Sequence, residues 1–575
     1  MNTNTLARRL LPALLIGVSA LAACEQIQTV ANRIDEKPKA KPEKVILREE
    51  AKRDRAAESE NDGRVSDMAI APTQMEPAGP APAATAVYLE PPPEDREEYR
   101  DVDPNPVKVA ATEPVSTFSA DVDTASYSVV RRFLNDGRLP PKDAVRVEEM
   151  VNYFDYSYAV PNDREKPFQP TVAVYPAPWN PATEIVHIGI QGYGLPQGER
   201  PPVNLVLLLD VSGSMEDPDK LPLLQKSLSM LAKEMTAQDR ISIVVYAGNA
   251  GVVLEPTPGN ETAKITEAIN NLSAGGSTAG GEGIRRAYEL AEGNLIKGGV
   301  NRVILATDGD FNVGITDSEQ LEDFVARKRE SGVTLTVLGF GQGNYNDAMM
   351  QTLAQAGNGN AAYIDNLNEA RKVLVDEMAG TVFTIAGDVK FQVEFNPSCV
   401  AEYRLIGYET RMLETADFNN DKVDAGDIGA GHRVTALYEI APVGSAGRLT
   451  DPLRYGKPEA ASADCGEIAF LKMRYKLPGE TASKLIERPI TAADTSTSVE
   501  SLNGDFKFAA AVAGFAQLLR GEPYLKNFGY DQVIALAQAG KGSDPFGYRA
   551  EFINLARLAE SSAALPPLTM NGNGE

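Results

Sequence analysis

The chain is 575 residues long, 43% hydrophobic and 24% charged, which allows about three domains with a large buried core. Its formal charge of −24 argues against nucleic acid or an anionic lipid surface as the main partner, since both would repel it. Two histidines and three cysteines supply no zinc-protease cluster and no Ser/His/Asp order, so the composition also argues against an enzyme.

At the amino terminus, Arg8 and Arg9 precede an apolar stretch over 10–21 that is too short for a comfortable membrane span and ends in Leu21-Ala22-Ala23-Cys24. The pattern resembles a bacterial lipoprotein signal over 1–23, which implies that Cys24 is lipidated and becomes the first mature residue. An ordinary secretory signal cut nearby and an uncleaved anchor are the competing readings. Glu25 stands where, in the bacterial pattern, an Asp would favour inner-membrane retention, so the resemblance implies a lipid anchor in the outer membrane, on its periplasmic or surface face. Several acyl chains together make a stable anchor. Residues 24–112 are rich in Lys, Glu and Arg, then in Pro and Ala, and lack the apolar residues that offset the entropy of ordering. They read as a disordered tether, reaching well over roughly 200 Å if polyproline-like and about 50 Å as a flexible coil.

The folded part is expected to open with a domain over 113–200: a short strand at 117–123, helices at 124–134 (capped by Asp123 or Thr124) and 142–154, and alternating strands at 169–175 and 184–191 around a Pro-rich turn. Next, apolar runs at 205–209, 241–246, 303–306 and 333–338 alternate with helix-period stretches near 221–236, 281–292, 317–331 and 367–380. That alternation predicts a parallel sheet covered on both faces, over 201–386.

Five residues stand out in this region: Asp210, Ser212 and Ser214 in Leu209-Asp210-Val211-Ser212-Gly213-Ser214, then Thr278, then Asp308 in Ala306-Thr307-Asp308-Gly309. An apolar run ending in Asp, followed by a Gly-containing turn with two hydroxyls, describes the carboxyl end of a buried parallel strand, where open α/β sheets bind ligands. The set resembles the metal-ion-dependent adhesion site of von Willebrand factor type A (VWA) domains, matching at every position. The resemblance implies a Rossmann-like, doubly wound, mostly parallel sheet holding Mg²⁺, or else Mn²⁺ or Ca²⁺. Ser212, Ser214 and Thr278 would touch the ion through hydroxyls, and Asp210 and Asp308 mainly through water or outer hydrogen bonds. Mg²⁺ wants octahedral oxygen ligands and needs only one or two carboxylates. A hydroxyl-rich site leaves the ion under-neutralised, so an exposed acidic residue of a partner protein becomes an attractive further ligand. Residues 117–158 resemble the amino-terminal domain that accompanies such VWA domains in a bacterial lipoprotein family.

After the VWA domain, period-two strands at 389–395, 402–408, 433–440 and 467–475 fall in a segment over 387–500, and helices at 506–519, 531–538 and 545–559 in 501–575. These resemble the carboxyl-terminal domain of the same family. The strands before and after the VWA domain are expected to share one β-sandwich into which that domain is inserted, because neither set closes a sandwich comfortably alone. Cys399 and Cys465 would form a disulfide in an oxidising compartment or remain two buried thiols. Asp417, Asn419 and Asp421 begin like a weak calcium loop, but Lys422 stands where a Gly belongs and Ile428 where an acid should close the cage, so a turn is the simpler reading. His187 and His432 read as structural. Two functional readings remain: a cation-dependent module that binds a protein partner, and a scaffold whose cation only stabilises the fold.

Overall fold

The structure is a computed structural model and describes residues 96–161, 163–196, 198–247, 250–275, 280–309, 318–451 and 465–564. The signal segment, Cys24 and most of the expected tether lie outside them, as does Thr278. Before the central domain come β1 (Lys108–Val109), β2 (Val115–Ser119), α1 (Ala125–Asn135), α2 (Val147–Asn152), β3 (Thr171–Ala177) and β4 (Asn180–Gln191). The central domain runs through β5 (Val203–Asp210), α3 (Leu221–Glu234), β6 (Arg240–Tyr246), β7 (Ala250–Pro258), α4 (Thr262–Asn270), α5 (Gly280–Gly293) and β8 (Val300–Thr307). It continues with α6 (Ser318–Arg329), β9 (Val333–Phe340), α7 (Asp347–Ala356), β10 (Ala361–Ile364), α8 (Leu367–Arg371) and α9 (Met378–Val382). Then follow β11 (Thr384–Phe395), β12 (Val400–Ile406), β13 (Gly426–Gly429), β14 (Arg433–Pro442), β15 (Glu467–Lys476), β16 (Lys484–Thr491), α10 (Gly504–Arg520), α11 (Tyr530–Gly540) and α12 (Tyr548–Ala564).

The central sheet has the order β10-β9-β8-β5-β6-β7, parallel except for the antiparallel edge strand β7. All eight residues of β5 are buried, as a central strand covered on both faces requires. Successive strands lie on one side of β5 and then the other, so the strand order reverses between β5 and β8. That switch point opens a crevice at the strands' carboxyl ends.

Two further sheets form the sandwich, and each draws strands from both sides of the central domain. One is ordered β1-β12-β14-β4-β3; in the other, β13-β11-β15-β16, the early strand β2 pairs with β11. The sheets face one another through aromatic side chains: Phe395 stacks on Tyr403 at 4.2 Å between ring centroids, and Phe118 meets Tyr438 edge-on at 6.4 Å. The VWA-type domain is therefore an insertion in the sandwich. A disulfide joins Cys399, just before β12, to Cys465, just before β15, and so ties one sheet to the other.

The outer face of the first sheet is covered by helices from both termini of the folded part. Tyr175, Ile185 and Leu437 from the sheet share a core with Phe154 of the amino-terminal segment and with Phe508 and Phe552 of α10 and α12. Phe154 meets those two rings edge-on at 4.9 and 5.6 Å, a favoured aromatic geometry.

Three expectations need correction. Residues 96–112, assigned to the tether, belong to the folded part: Glu98 bridges to Asn346, Asn105 Nδ2 donates to the Gly407 carbonyl at 2.7 Å, and β1 pairs with β12. Specific polar contacts hold this segment together with the burial of Ala110 and the packing of Tyr99, despite its low apolar content. The helix expected over 142–154 divides into a 3₁₀ turn and α2, because Arg146 is extended and its guanidinium reaches Asp347 of α7 at 2.7 Å. The helix expected over 367–380 is interrupted by a π turn over Lys372–Asp376, where the Lys372 ammonium pairs with Glu377.

Candidate functional site

Asp210 ends β5 and Asp308 follows β8, on adjacent parallel strands in the register Leu209↔Ala306. Their carboxyl groups thus meet at the switch point, and both residues are fully buried. Ser212 is extended and Ser214 lies in the 3₁₀ turn that follows, which brings their Oγ atoms within 3.0 Å of each other. Ser212 N–H donates to Asp210 Oδ1 at 2.9 Å, and Thr307 Oγ1 donates to Asp210 Oδ2 at 3.3 Å. Burial, with a smaller contribution from neighbouring Asp308, pushes the Asp210 carboxyl up to about 6. A carboxylate so placed is under-neutralised and suits a cation. Ser214 is half-buried, so the hydroxyl pair reaches toward the surface while the acids stay beneath it.

Of the five residues singled out in the sequence, the structure brings four together, and Thr278 lies outside the described residues. Gly275 N–H bonds to the Val211 carbonyl at 2.8 Å, which brings Gly275 against the Asp-x-Ser-x-Ser loop. Among the described residues, no group of three or more His, Cys, Asp or Glu side chains could hold a metal. The set at Asp210 is of another class, two carboxylates with hydroxyls, and such hard oxygen donors suit Mg²⁺, with several ligand positions left to water or a partner. The residues present fit that ion.

The sequence reading missed Lys220. This residue caps α3, is 6% exposed, and places its Nζ 3.0 Å from Asp308 Oδ2. Its stem lies against Gly341, where an added Cβ would come within 2.4 Å of Cε and 2.5 Å of Cγ. Gly341 also has φ of +76°, so both backbone and space call for glycine there. The rim around it is braced: Tyr363 Oη donates to the Gly341 carbonyl at 2.6 Å, Arg132 donates to Tyr363 Oη at 3.0 Å, and Glu97 pairs with Arg132. The signal for Lys220 was present, a lysine six residues after Ser214 at a helix start, but reach across to a second strand cannot be read from spacing.

At the proposed calcium loop the geometry argues against a cation site. Lys390 Nζ donates to the Asp417 and Asn420 carbonyls at 3.2 and 2.7 Å, and Asp421 Oδ1 accepts from Ser483 Oγ at 2.6 Å. An ammonium already holds the loop's carbonyls, and Asn419 ends a 3₁₀ turn.

His187 is a core residue, and His432 is half-buried. His187 is fully buried on β4, its Nε2 2.8 Å from Tyr158 Oη, and its ring meets Phe506 edge-on at 4.7 Å. His432 packs against Gly380. Burial pushes each imidazole down to about 3. The unfolded chain therefore binds these protons first, so the contribution is complete above about pH 6.5 and is lost as pH falls toward 3. Glu148 and Asp427, pushed up by burial to about 8 and about 7, act in the opposite sense as pH rises. We expect His187→Gln to lose stability less steeply than wild type on acidification from pH 7 to 4. Parallel denaturation curves for the two proteins across that range would contradict the assignment.

Comparison with known proteins gives three family matches: von Willebrand factor type A domain over residues 204–376, von Willebrand factor over 93–187, and "Uncharacterized protein YfbK, C-terminal" over 380–562. The chain is similar to the uncharacterized protein YfbK of Escherichia coli (strain K12), 48% identical over 470 residues covering 80% of this chain and 81% of that protein. It also matches the uncharacterized protein sll0103 of Synechocystis, 31% identical over 172 residues, covering 30% and 40% of the two chains. Among solved structures, a von Willebrand factor type A protein from Catenulispora acidiphila aligns at 16% identity and TM-score 0.38, covering 70% of this chain and 91% of that one.

Proposed function

We propose, from the premise that this chain belongs to the family of the uncharacterized protein YfbK, with its VWA domain, that it is a cation-dependent protein-binding module anchored by lipid at the cell envelope. One observation carries the reading: two fully buried carboxyl groups and a pair of hydroxyls 3.0 Å apart converge at the switch point of the sheet. Asp210, Ser212, Ser214 and Asp308, with Thr278 as the family pattern implies, would hold a Mg²⁺-like ion. When bound, such an ion supplies an unfilled coordination position for a partner's carboxylate. The chain's own part is to orient. The Ser212 amide and Thr307 hydroxyl fix the Asp210 carboxylate, and Gly309 permits close approach of the rim, since a Cβ there would lie 2.2 Å from the Asn344 carbonyl oxygen. Lipidation of Cys24, the outer-membrane location and an acidic partner rest on the sequence pattern and on this chemistry.

The test is retention of an envelope partner on the immobilised chain in Mg²⁺, with and without chelator. We expect release by EDTA and no retention by Ser212→Ala/Ser214→Ala, although that variant keeps its thermal midpoint in chelator. Retention that survives both EDTA and the double substitution would instead favour a scaffold that binds through the sandwich or helices.

A further inference from the structure

We infer that Lys220 is a resident cation of the site, a positioning residue that sets how tightly the site holds a divalent ion and keeps the assembled site positive toward an anionic ligand. The inference rests on the cation-site reading given above and goes beyond it.

Three observations carry it. First, the ammonium is aimed at the site's own acid, with Nζ 3.0 Å from Asp308 Oδ2, while the nearer-in-sequence Asp217 is 3.8 Å away and exposed. Second, the lysine is built in. It is 6% exposed, and its stem runs over Gly341 in space that a single methyl group would close. A lysine that merely solvated the surface would need neither the burial nor the glycine. Third, the rim strand end that seats it is braced by Tyr363 of β10, which is held in turn from outside the domain by Arg132 and Glu97, the last of which also accepts from Gly343 N–H at 3.0 Å. The stem therefore has little freedom to swing away.

The electrostatic consequence follows from charge alone. Asp210 and Asp308 together would offset the formal charge of a divalent ion, so that attraction for a further carboxylate would rest mainly on the unfilled coordination position. With the Lys220 ammonium beside Asp308, the two acids fall short, and the assembled site retains a net positive charge. The ion is held less tightly, because like charges lie close together in a region poorly screened by water. An anionic ligand is held more tightly for the same reason. Without a divalent ion, the ammonium relieves the repulsion between two buried carboxylates and so supports the fold. The residue thus exchanges cation affinity for attraction toward an anion.

The experiment measures Mg²⁺ and Mn²⁺ binding by titration calorimetry, and thermal midpoints in chelator and in saturating divalent ion. It compares the wild-type chain with Lys220→Met, Lys220→Gln and Asp210→Ala. Met keeps the apolar stem and Gln a shorter polar one, so that failure of one to fold leaves the other. The expected result is that both lysine variants bind the metal roughly tenfold or more tightly than wild type. They should also melt lower in chelator and gain a larger upward shift from the ion. Equal or weaker metal binding by both folded variants, with wild type binding and Asp210→Ala not binding, would overturn the role of Lys220 and leave the cation site standing. No binding by wild type or by either lysine variant would overturn both readings. Binding by the lysine variants but not by wild type would sustain Lys220 as the resident cation and reject a metal-dependent function for the natural chain.

Discussion

Arg131→Met should lower the unfolding free energy by about 3–5 kcal/mol, because it strands the buried carboxyl groups of Asp365 and Glu369. Arg131 lies on α1 with its side chain 1% exposed. Its guanidinium pairs with Asp365 at the end of β10, with Glu369 of α8 at 2.8 Å and with Glu551 of α12 at 3.1 Å, and donates to Tyr153 Oη at 3.0 Å. One side chain thus joins the amino-terminal helices, the VWA domain and the last helix. Burial pushes the Asp365 carboxyl up, and Arg131 pulls against that rise. Without the arginine the carboxyl is pushed further up and takes a proton in the folded state at a pH where the unfolded chain has lost it. The folded form then binds more protons, so stability falls as pH rises through that window. The deficit of the variant should consequently be smaller at pH 5 than at pH 8. Denaturant titration at the two values tests this, and a loss below about 1 kcal/mol at both would show that the node contributes little. Adding Asp365→Asn and Glu369→Gln should return part of the loss, since amides tolerate burial without a counter-ion.

The second large effect is expected at the disulfide. The Cys399–Cys465 crosslink spans a sequence separation of 66 and ties the start of β12 in one sheet of the sandwich to the start of β15 in the other. On the chain-entropy model, closing such a loop contributes about 4 kcal/mol, since the unfolded chain loses conformations that the native sheets never use. Cys399→Ser/Cys465→Ser should therefore unfold at a clearly lower denaturant midpoint, and dithiothreitol should lower the wild-type midpoint to match while leaving the variant unchanged. If reduction leaves the wild-type midpoint where it was, the crosslink does not restrain the unfolded chain. The gain depends on an oxidising compartment, which agrees with the export proposed from the amino-terminal pattern.

Much of the central domain was legible because its strands are continuous apolar runs. The stretches expected at 205–209, 241–246, 303–306 and 333–338 lie within β5, β6, β8 and β9. Elements with weaker patterns were missed: β10 is four residues long, β7 is an edge strand whose exposed and buried positions are uneven, and α4 presents only Ile265 and Ile269 as buried residues. Helix α12 begins at Tyr548 rather than at Pro545. The expected cap on α1 also fell differently. Thr124 is the capping residue but makes no side-chain cap bond, while Asp123 Oδ1 accepts from Ala361 N–H at 2.9 Å and Asp123 Oδ2 accepts from Arg411 at 3.1 Å. Local rules assign such an acid to its nearest amides, yet an arginine distant in sequence binds it more strongly once water is excluded.

By itself the sequence determined the strands that bury on both faces, the residues that end them in carboxyl and hydroxyl groups, and the pattern of segments on either side of the central domain. Each depends on composition and spacing within one stretch of chain, where periodicity reports burial directly. Tertiary structure alone decided that Lys220 meets Asp308 beneath Gly341, that Arg131 gathers carboxylates from the central domain and from the last helix, and that residues 96–112 fold back onto the body. These are pairings of charged or polar groups far apart in sequence. Their energies depend on burial and on distances of a few ångströms, quantities that no local pattern encodes.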